Sequence, residues 1–272
     1  MIDVKDVERI IIKKFRSKIY KKFVRAVKDF ELIKEGDVIC SCISGGKDSF
    51  LLAKCLQELK IHSKYKFDLK FLVMDPGYSK EHLDKIKENL KLLNIDATIF
   101  KSNIFEEIKN ESSPCYLCAR KRRGNLYATA KELGCNKIAL GHHFDDVIET
   151  ILLNVLYSGN YKTMMPKLKS KNFSGMELIR PLYYVKEDDI ISWKRYNNLT
   201  FLDCACNITK KDLGKRLEVK NLIKEFRKTY DNIDINILNS SRNVNIDAVL
   251  GYKENGKEYS FLDTYEKTFD ED

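Results

Sequence analysis

No stretch of the 272-residue sequence approaches the ~18 consecutive apolar residues of a membrane-spanning helix. The opening Met1-Ile2-Asp3-Val4-Lys5-Asp6 carries both signs of charge and lacks the apolar run of a secretion signal. There is no internal repeat and no low-complexity linker. These absences exclude the membrane, exported and fibrous classes, and a cytoplasmic location is expected. What is present suits a globular protein. Apolar residues make up 43%, too many for a disordered chain, and charged residues 33%, too many for a membrane protein. The length lies between one large domain and two small ones, at roughly 100–200 residues per domain.

The 49 Lys and Arg exceed the 40 Asp and Glu, a net charge of +9. The excess is uneven. Residues 1–34 hold 11 bases and 5 acids (+6), and residues 207–228 hold 8 bases and 3 acids (+5). The last 30 residues reverse the sign, with 8 acids and 3 bases (−5). Ile10, Ile11, Phe15, Ile19, Phe23, Val24 and Val27 recur near helical spacing, which predicts an amphipathic N-terminal helix with a basic outer face. Such a face is either solvated or a nucleic-acid contact.

Eight cysteines in a reducing compartment point to metal ligation or thiol chemistry rather than to structural bridges. Six of them form close pairs, Cys40/Cys42, Cys115/Cys118 and Cys204/Cys206, and Cys55 and Cys135 stand alone.

From residue 37 apolar runs alternate with helical periodicity. Strands are expected at 37–43, 67–74, 97–100 and 137–139, and helices at 49–59, 79–93, 117–133, 145–157, 186–196 and 217–229. Alternation of this kind predicts an α/β protein, a Rossmann-like doubly wound parallel sheet with helical additions at both ends. Near the C-terminus, Glu254-Asn255-Gly256-Lys257 between two short apolar runs predicts a hairpin. Four regions follow: a basic helical segment over 1–34, an α/β core over 35–200, a cysteine-containing basic region over 201–242, and a hairpin with an acidic tail over 243–272.

Three segments carry chemistry. Ser44-Gly45-Gly46-Lys47-Asp48-Ser49 lies between a buried strand and a helix, where such sheets bind ligands. Its glycines allow close backbone approach, the helix N-terminus and Lys47 favour phosphate, and Asp48 among phosphates fits a magnesium ligand. A Walker loop has different spacing, and a mere capping turn would need only one such polar residue. Pro114-Cys115-Tyr116-Leu117-Cys118-Ala119-Arg120-Lys121-Arg122-Arg123 couples a C-x-x-C to four successive cations, which stabilise thiolates holding a metal or cluster. A structural zinc site would need four protein ligands. Gly141-His142-His143-Phe144-Asp145-Asp146 closes a short strand, and its adjacent carboxylates serve either as a helix cap or in cation and proton chemistry. Later, Asp203-Cys204-Ala205-Cys206 offers a further thiolate, or two buried free thiols.

Taken with Met165-Pro166-Lys167 and Ile179-Arg180-Pro181-Leu182, these segments resemble the tRNA 2-thiocytidine synthetase group of the ATP pyrophosphatase (PP-loop) superfamily, in matching order from about residue 30 to 230. Related zinc-ribbon thiolases carry additional C-x-x-C pairs at both ends, and none is found here. The resemblance implies the adenine nucleotide alpha hydrolase type of sheet. It also implies ATP and magnesium bound at 44–49, with Met74, Gly141 and His142 completing the nucleotide site. A 4Fe-4S cluster is implied on Cys115, Cys118 and a third cysteine. Cys206 is the preferred third ligand, because Cys206-Asn207-Ile208-Thr209 resembles the group's segment leading into the basic helix, and Cys204 is the reserve, since the group's late motif is Cys-x-x-Cys and this sequence has Cys204-Ala205-Cys206. Lys47 and Arg122 match catalytic cations, and Asp145 or Asp146 a catalytic acid. The implied reaction adenylates C2 of a pyrimidine in tRNA, cytidine 32 by the resemblance, and inserts sulfur there by way of the cluster. The partners implied are tRNA and a sulfur donor, either sulfide or a cysteine desulfurase persulfide, with a homodimer as an alternative to a monomer. A sulfonucleotide reductase would share the loop at 44–49 but not the 141–150 match. A non-catalytic iron–sulfur RNA-binding protein would require neither.

Overall fold

The computed structural model describes residues 4–104, 114–202 and 213–265. Strand β1 (Val38–Ile43) sits in the middle of a six-stranded sheet and is buried along nearly its whole length. Period-two alternation turns Ile39 and Ile43 to one face and Cys40 and Cys42 to the other, and each set joins a separate apolar cluster. A strand covered on both faces needs this near-continuous apolar sequence. The other strands are β2 (Asp68–Asp75), β3 (Ala97–Lys101), β4 (Lys137–Ala139), β5 (Lys167–Lys169) and β6 (Glu177–Ile179), in the order β3-β2-β1-β4-β6-β5. All pairings are parallel except β5 with β6. The chain winds outward through β2 and β3, then crosses back to β4. The carboxyl ends of β1 and β4 therefore form the switch point at which doubly wound sheets bind ligands.

Helices α1 (Val4–Ile12) and α2 (Lys21–Asp29) flank a π-helical turn, Arg16–Tyr20. Val7, Ile11, Phe15, Ile19 and Phe23, spaced by four, are all buried in the cluster that holds Ile39, Val73 and Ala139 of the sheet. Steps of four overshoot an α-helical turn by roughly 40° each. The wider π turn takes up that drift and keeps the seam facing the core. The N-terminal segment thus shares the core of the sheet.

Beyond β1 runs α3 (Lys47–His62), followed by α4 (Lys80–Leu92). Phe50 in the first turn of α3 stacks on Phe201 at 5.1 Å, and Phe201 stacks on the wholly buried Trp193 at 6.0 Å. This aromatic column fixes the start of α3, and with it the loop at 44–46. Further along, Lys54 has no exposed side-chain surface; its Nζ donates to Glu8 Oε1 (2.5 Å), Gln57 Oε1 (2.7 Å) and the Leu93 carbonyl (3.0 Å). Lys54→Ala is expected to cost about 3 kcal/mol, because it opens a cavity and orphans a buried carbonyl. A urea titration with an unshifted midpoint would contradict this.

The opposite face is covered by α5 (Pro114–Glu132), and α6 (Phe144–Ser158) and α7 (Glu187–Tyr196) follow. Helices α8 (Leu213–Thr229) and α9 (Ile233–Ser240) pack on α6. The C-terminal hairpin pairs β7 (Gly251–Glu254) with β8 (Lys257–Ser260) through Asn255 and Gly256, both at positive φ (51° and 82°), as its turn chemistry predicts. Cys40, Cys42, Cys55 and Cys135 are buried free thiols. Among the described residues no helix is long and apolar enough to cross a membrane.

Strands β5 and β6, helix α9 and a one-turn helix at Leu262–Tyr265 were not anticipated. β5 and β6 are three residues each, with the Lys-Leu-Lys strand β5 at the sheet edge, and both are too short for an alternation to register. Helix α9 is only eight residues long.

Candidate functional site

Gly45 has a φ of +91°, where any side chain would be strained, and a Cβ there would meet Leu202 and Ile86 at 3.0–3.1 Å. The Gly45 carbonyl accepts from Leu202 N–H (3.1 Å). Ser49 Oγ donates to the Gly46 carbonyl (2.8 Å) and accepts from Ser44 N–H (3.2 Å), cross-bracing the loop. Gly46 is the N-cap of α3 and offers no capping side chain. The first-turn amides are thereby left for an external acceptor, which is the arrangement that binds phosphate.

The second wall comes from the chain after β4. A Cβ on Gly141 would lie 3.0 Å from the backbone carbon of Asp48 and the nitrogen of Ser49, so the two loops touch where only glycine fits. Gly141→Ala is expected to push the walls apart and raise the KM for ATP about tenfold, with a smaller effect on kcat. An unchanged KM would show that the close approach does not shape the nucleotide site.

Between the walls lies a cavity of about 380 Å³. Of the sequence-predicted residues, Ser44, Asp48, Ser49, Met74, Arg122, Gly141, His142 and Asp146 line it, together with Cys42 and Arg123. Lys47 stands beside it. Its Nζ donates to Asp48 Oδ2 (3.2 Å) and Glu187 Oε1 (3.2 Å). Asp48 Oδ1, also 3.2 Å from Lys47 Nζ, is buried and makes no hydrogen bond. Burial raises the Asp48 pKa against the pull of His143 and Lys47. A buried carboxylate oxygen with an open lone pair among phosphate-binding amides is the donor that a magnesium ion requires.

The structure separates the two adjacent aspartates. Asp146 accepts from His143 N–H (2.9 Å) while its own N–H donates to His143 Nδ1 (3.4 Å), a reciprocal capping box for α6. Its other oxygen accepts from Arg216 Nη2 (2.7 Å), and the residue still lines the cavity. Burial works against its charge, but His143, His142 and Arg216 outweigh it and hold the carboxyl below the usual range. Asp145 is turned elsewhere, accepting from Arg227 Nη2 (2.6 Å) and Glu187 N–H (2.7 Å).

Burial, reinforced by Arg180 and Arg216 and opposed by Asp146, pushes His142 down to about 4, and its Nδ1 is buried without a partner. A histidine kept neutral when folded makes stability fall as the pH drops below its unfolded value of about 6.5 and level off below 4. His142→Asn is expected to flatten that slope between pH 6.5 and 4. Equal slopes in parallel denaturant titrations would contradict it.

Helix α5 brings the thiolate segment to the same place. Cys118 is buried against Met74 and Ile104, and Arg122, one turn on, lines the cavity. Arg122 Nη2 donates to the Tyr78 hydroxyl (3.5 Å), which donates in turn to the Ser44 carbonyl (3.5 Å). Cys115 starts the same helix three positions before Cys118. The Cys115 side chain, Cys204 and Cys206 lie outside the described residues.

The sequence did not reveal Glu187, Tyr78 or the inward side of α8. Glu187 accepts from Lys47 and Lys220 (2.5 Å) and is pulled down to about 2, against burial, by those two lysines. Arg216, Lys220 and Arg227, part of the basic stretch over 207–228, neutralise Asp146, Glu149, Glu187, Asp145 and Asp234 in the fold. Buried carboxylates need such partners, and only the tertiary structure shows which cations supply them.

A PP-loop domain model matches residues 15–223. The tRNA-cytidine(32) 2-sulfurtransferase of Geobacter metallireducens is 39% identical over 224 residues, 81% of this chain and 87% of the relative. That of Geotalea uraniireducens is 36% identical over 233 residues, 84% and 92% of the two chains. Among solved structures, the U34-tRNA thiolase NcsA from Methanococcus maripaludis, with its 4Fe-4S cluster, superposes with a TM-score of 0.68 at 20% identity, over 86% of this chain and 80% of that one. This last likeness establishes a shared fold. With its glycine-walled phosphate loop at the sheet's switch point, the chain belongs to the PP-loop domain family, among the relatives named tRNA-cytidine(32) 2-sulfurtransferases.

Proposed function

We propose that this protein is a cytoplasmic, ATP-dependent tRNA 2-sulfurtransferase acting on cytidine 32. The observation that carries the reading is convergence: the phosphate loop, the Asp146–His142 wall and Arg122 of α5 meet in one cavity, with Cys118 packed on Met74 of its lining. The names of the relatives supply the substrate.

The loop amides and Lys47 bind the ATP phosphates, and Asp48 would hold a magnesium ion that offsets phosphate charge. The C2 oxygen of cytidine attacks the α-phosphorus, the bond to pyrophosphate breaks, and pyrophosphate leaves with the electron pair. Arg122, braced through Tyr78 to the loop, opposes the charge developing on the phosphates. His142, neutral at pH 7 with Nδ1 unpartnered, can hold or accept a hydrogen bond from the cytosine edge. Ionised Asp146 fixes this wall through the His143 cap and Arg216.

A 4Fe-4S cluster on Cys115, Cys118 and Cys206 would hold sulfide for the displacement of AMP from C2. Cys118 fits that donor set, being packed against Met74, which lines the cavity, and one turn before Arg122. The target base must leave its stack, since pairing would hide C2. Anaerobically reconstituted protein should release pyrophosphate from ATP only when tRNA is present. Release independent of tRNA, or none at all, would contradict the proposal.

A further inference from the structure

A second cleft, of about 340 Å³, runs between α5 and the β5–β6 hairpin beside the catalytic cavity, and Arg123 lines both. Its cations are Arg120 and Arg123 on the helix and Lys169 and Lys171 on the hairpin, and no carboxylate lines it. All four are exposed, and none forms an ion pair among the described residues. Cations on the other basic elements are in part spent on acids. On α2, Lys22 and Arg25 are paired with Asp189 and Asp29, and the inward cations of α8 are spent on buried acids. Tyr127 and Phe173 stack at 5.3 Å with an interplanar angle of 13°, tying helix to hairpin and giving the cleft a fixed wall.

Charge here is not merely unpaired but mutually repelling. Arg180, buried under the same region, has one terminal nitrogen bonded to the Met165 carbonyl and its Nε unpartnered. Burial, and after it the repulsion of Arg123, brings its pKa down to about 10. A fixed, carboxylate-free groove of four cations that lies beside a reaction cavity calls for a polyanion threaded through both.

We propose that the cleft lined by Arg120, Arg123, Lys169 and Lys171 binds the sugar–phosphate backbone of the tRNA strand flanking the target nucleotide. The inference rests on the tRNA-thiolase reading above and gives it a direction: the strand leaves the cavity past Arg123 and crosses the β5–β6 hairpin. Arginine and lysine at such a groove position the backbone, while the cavity selects the base.

The test uses the full chain and an unmodified tRNA transcript carrying cytidine at position 32. Lys169→Ala/Lys171→Ala should raise the Kd about tenfold and reduce the slope of log K against log salt by about 1.5, the value for two lost phosphate contacts. ATP binding by calorimetry should be unchanged. Lys64→Ala/Lys66→Ala, which removes equal charge from an exposed segment outside the cleft, should leave the Kd within twofold. If the wild type binds tRNA and the hairpin variant matches it in Kd and salt slope, the cleft assignment is overturned and the functional reading stands. Equal losses in both double variants would also overturn the assignment, because net charge alone would then explain them. A wild type that binds no tRNA overturns the functional reading and this inference with it.

Discussion

Asp146→Asn is expected to lower kcat/KM at least a hundredfold with little loss of stability, and Asp145→Asn to do the reverse. The neighbours look interchangeable in the sequence but differ in what they touch. An asparagine at 146 can still accept the His143 N–H that caps α6, and Arg216 keeps its bond to Glu149. The helix therefore stays in place. What is lost is the negative charge lining the cavity, on the wall that holds His142. Loss of a preorganised charged or polar group at a reaction cavity costs about 10²–10³-fold in typical enzymes. Asp145, in contrast, faces Arg227 and the N–H of Glu187, away from the cavity. Its replacement weakens a buried ion pair and is expected to cost about 2 kcal/mol, softened because Arg227 retains Asp234. The matched pair of variants needs only tRNA-dependent pyrophosphate release and a denaturant titration. A stable, active Asp146→Asn protein would remove Asp146 from the chemistry, and an inactive but fully stable Asp145→Asn protein would put Asp145 there instead.

Lys47→Ala should reduce kcat/KM by 10²–10³-fold, about 3–4 kcal/mol, as for other single donors that meet charge in a transition state. In the structure the ammonium group rests between Asp48 and Glu187, 3.2 Å from each. Those carboxylates hold it ready beside the loop amides, and ATP phosphates would compete for it. The deficit should therefore appear in both the KM for ATP and kcat. Stability should move by less than about 1 kcal/mol, since the pair is partly exposed. A Lys47→Ala enzyme with ordinary kcat and a raised KM would limit Lys47 to ground-state binding.

The fold was legible where a local pattern suffices. Buried parallel strands such as β1 read as apolar runs, and α3, α4 and α6 as helical periodicity, because each element's burial imprints its own spacing. The phosphate loop was legible too: Gly45 is a glycine because of its positive φ and the Leu202 and Ile86 side chains against it, Gly141 because backbone meets backbone there, and both lie inside contiguous motifs. Roles set by distant partners were not legible. Asp145 is answered by Arg227, 82 positions away, and Lys47 by Glu187, 140 away. The basic stretch over 207–228 reads as a run of cations, and which of them are spent on acids, as Arg216, Lys220 and Arg227 are, depends on partners far away in sequence. Conversely, the short strands β5 and β6 carry too few residues to announce themselves, although their hairpin walls a cation-lined cleft.

The central claim is that one cavity couples ATP cleavage to sulfur insertion at C2 of cytidine 32. It is tested most directly by incubating the anaerobically reconstituted protein with ATP, a sulfide source and unmodified tRNA, then digesting the RNA and analysing its nucleosides by mass spectrometry. The account predicts 2-thiocytidine, formed one for one with AMP and pyrophosphate and absent when position 32 is changed from cytidine. Pyrophosphate release with no thionucleoside, or a thionucleoside formed without ATP, would contradict it.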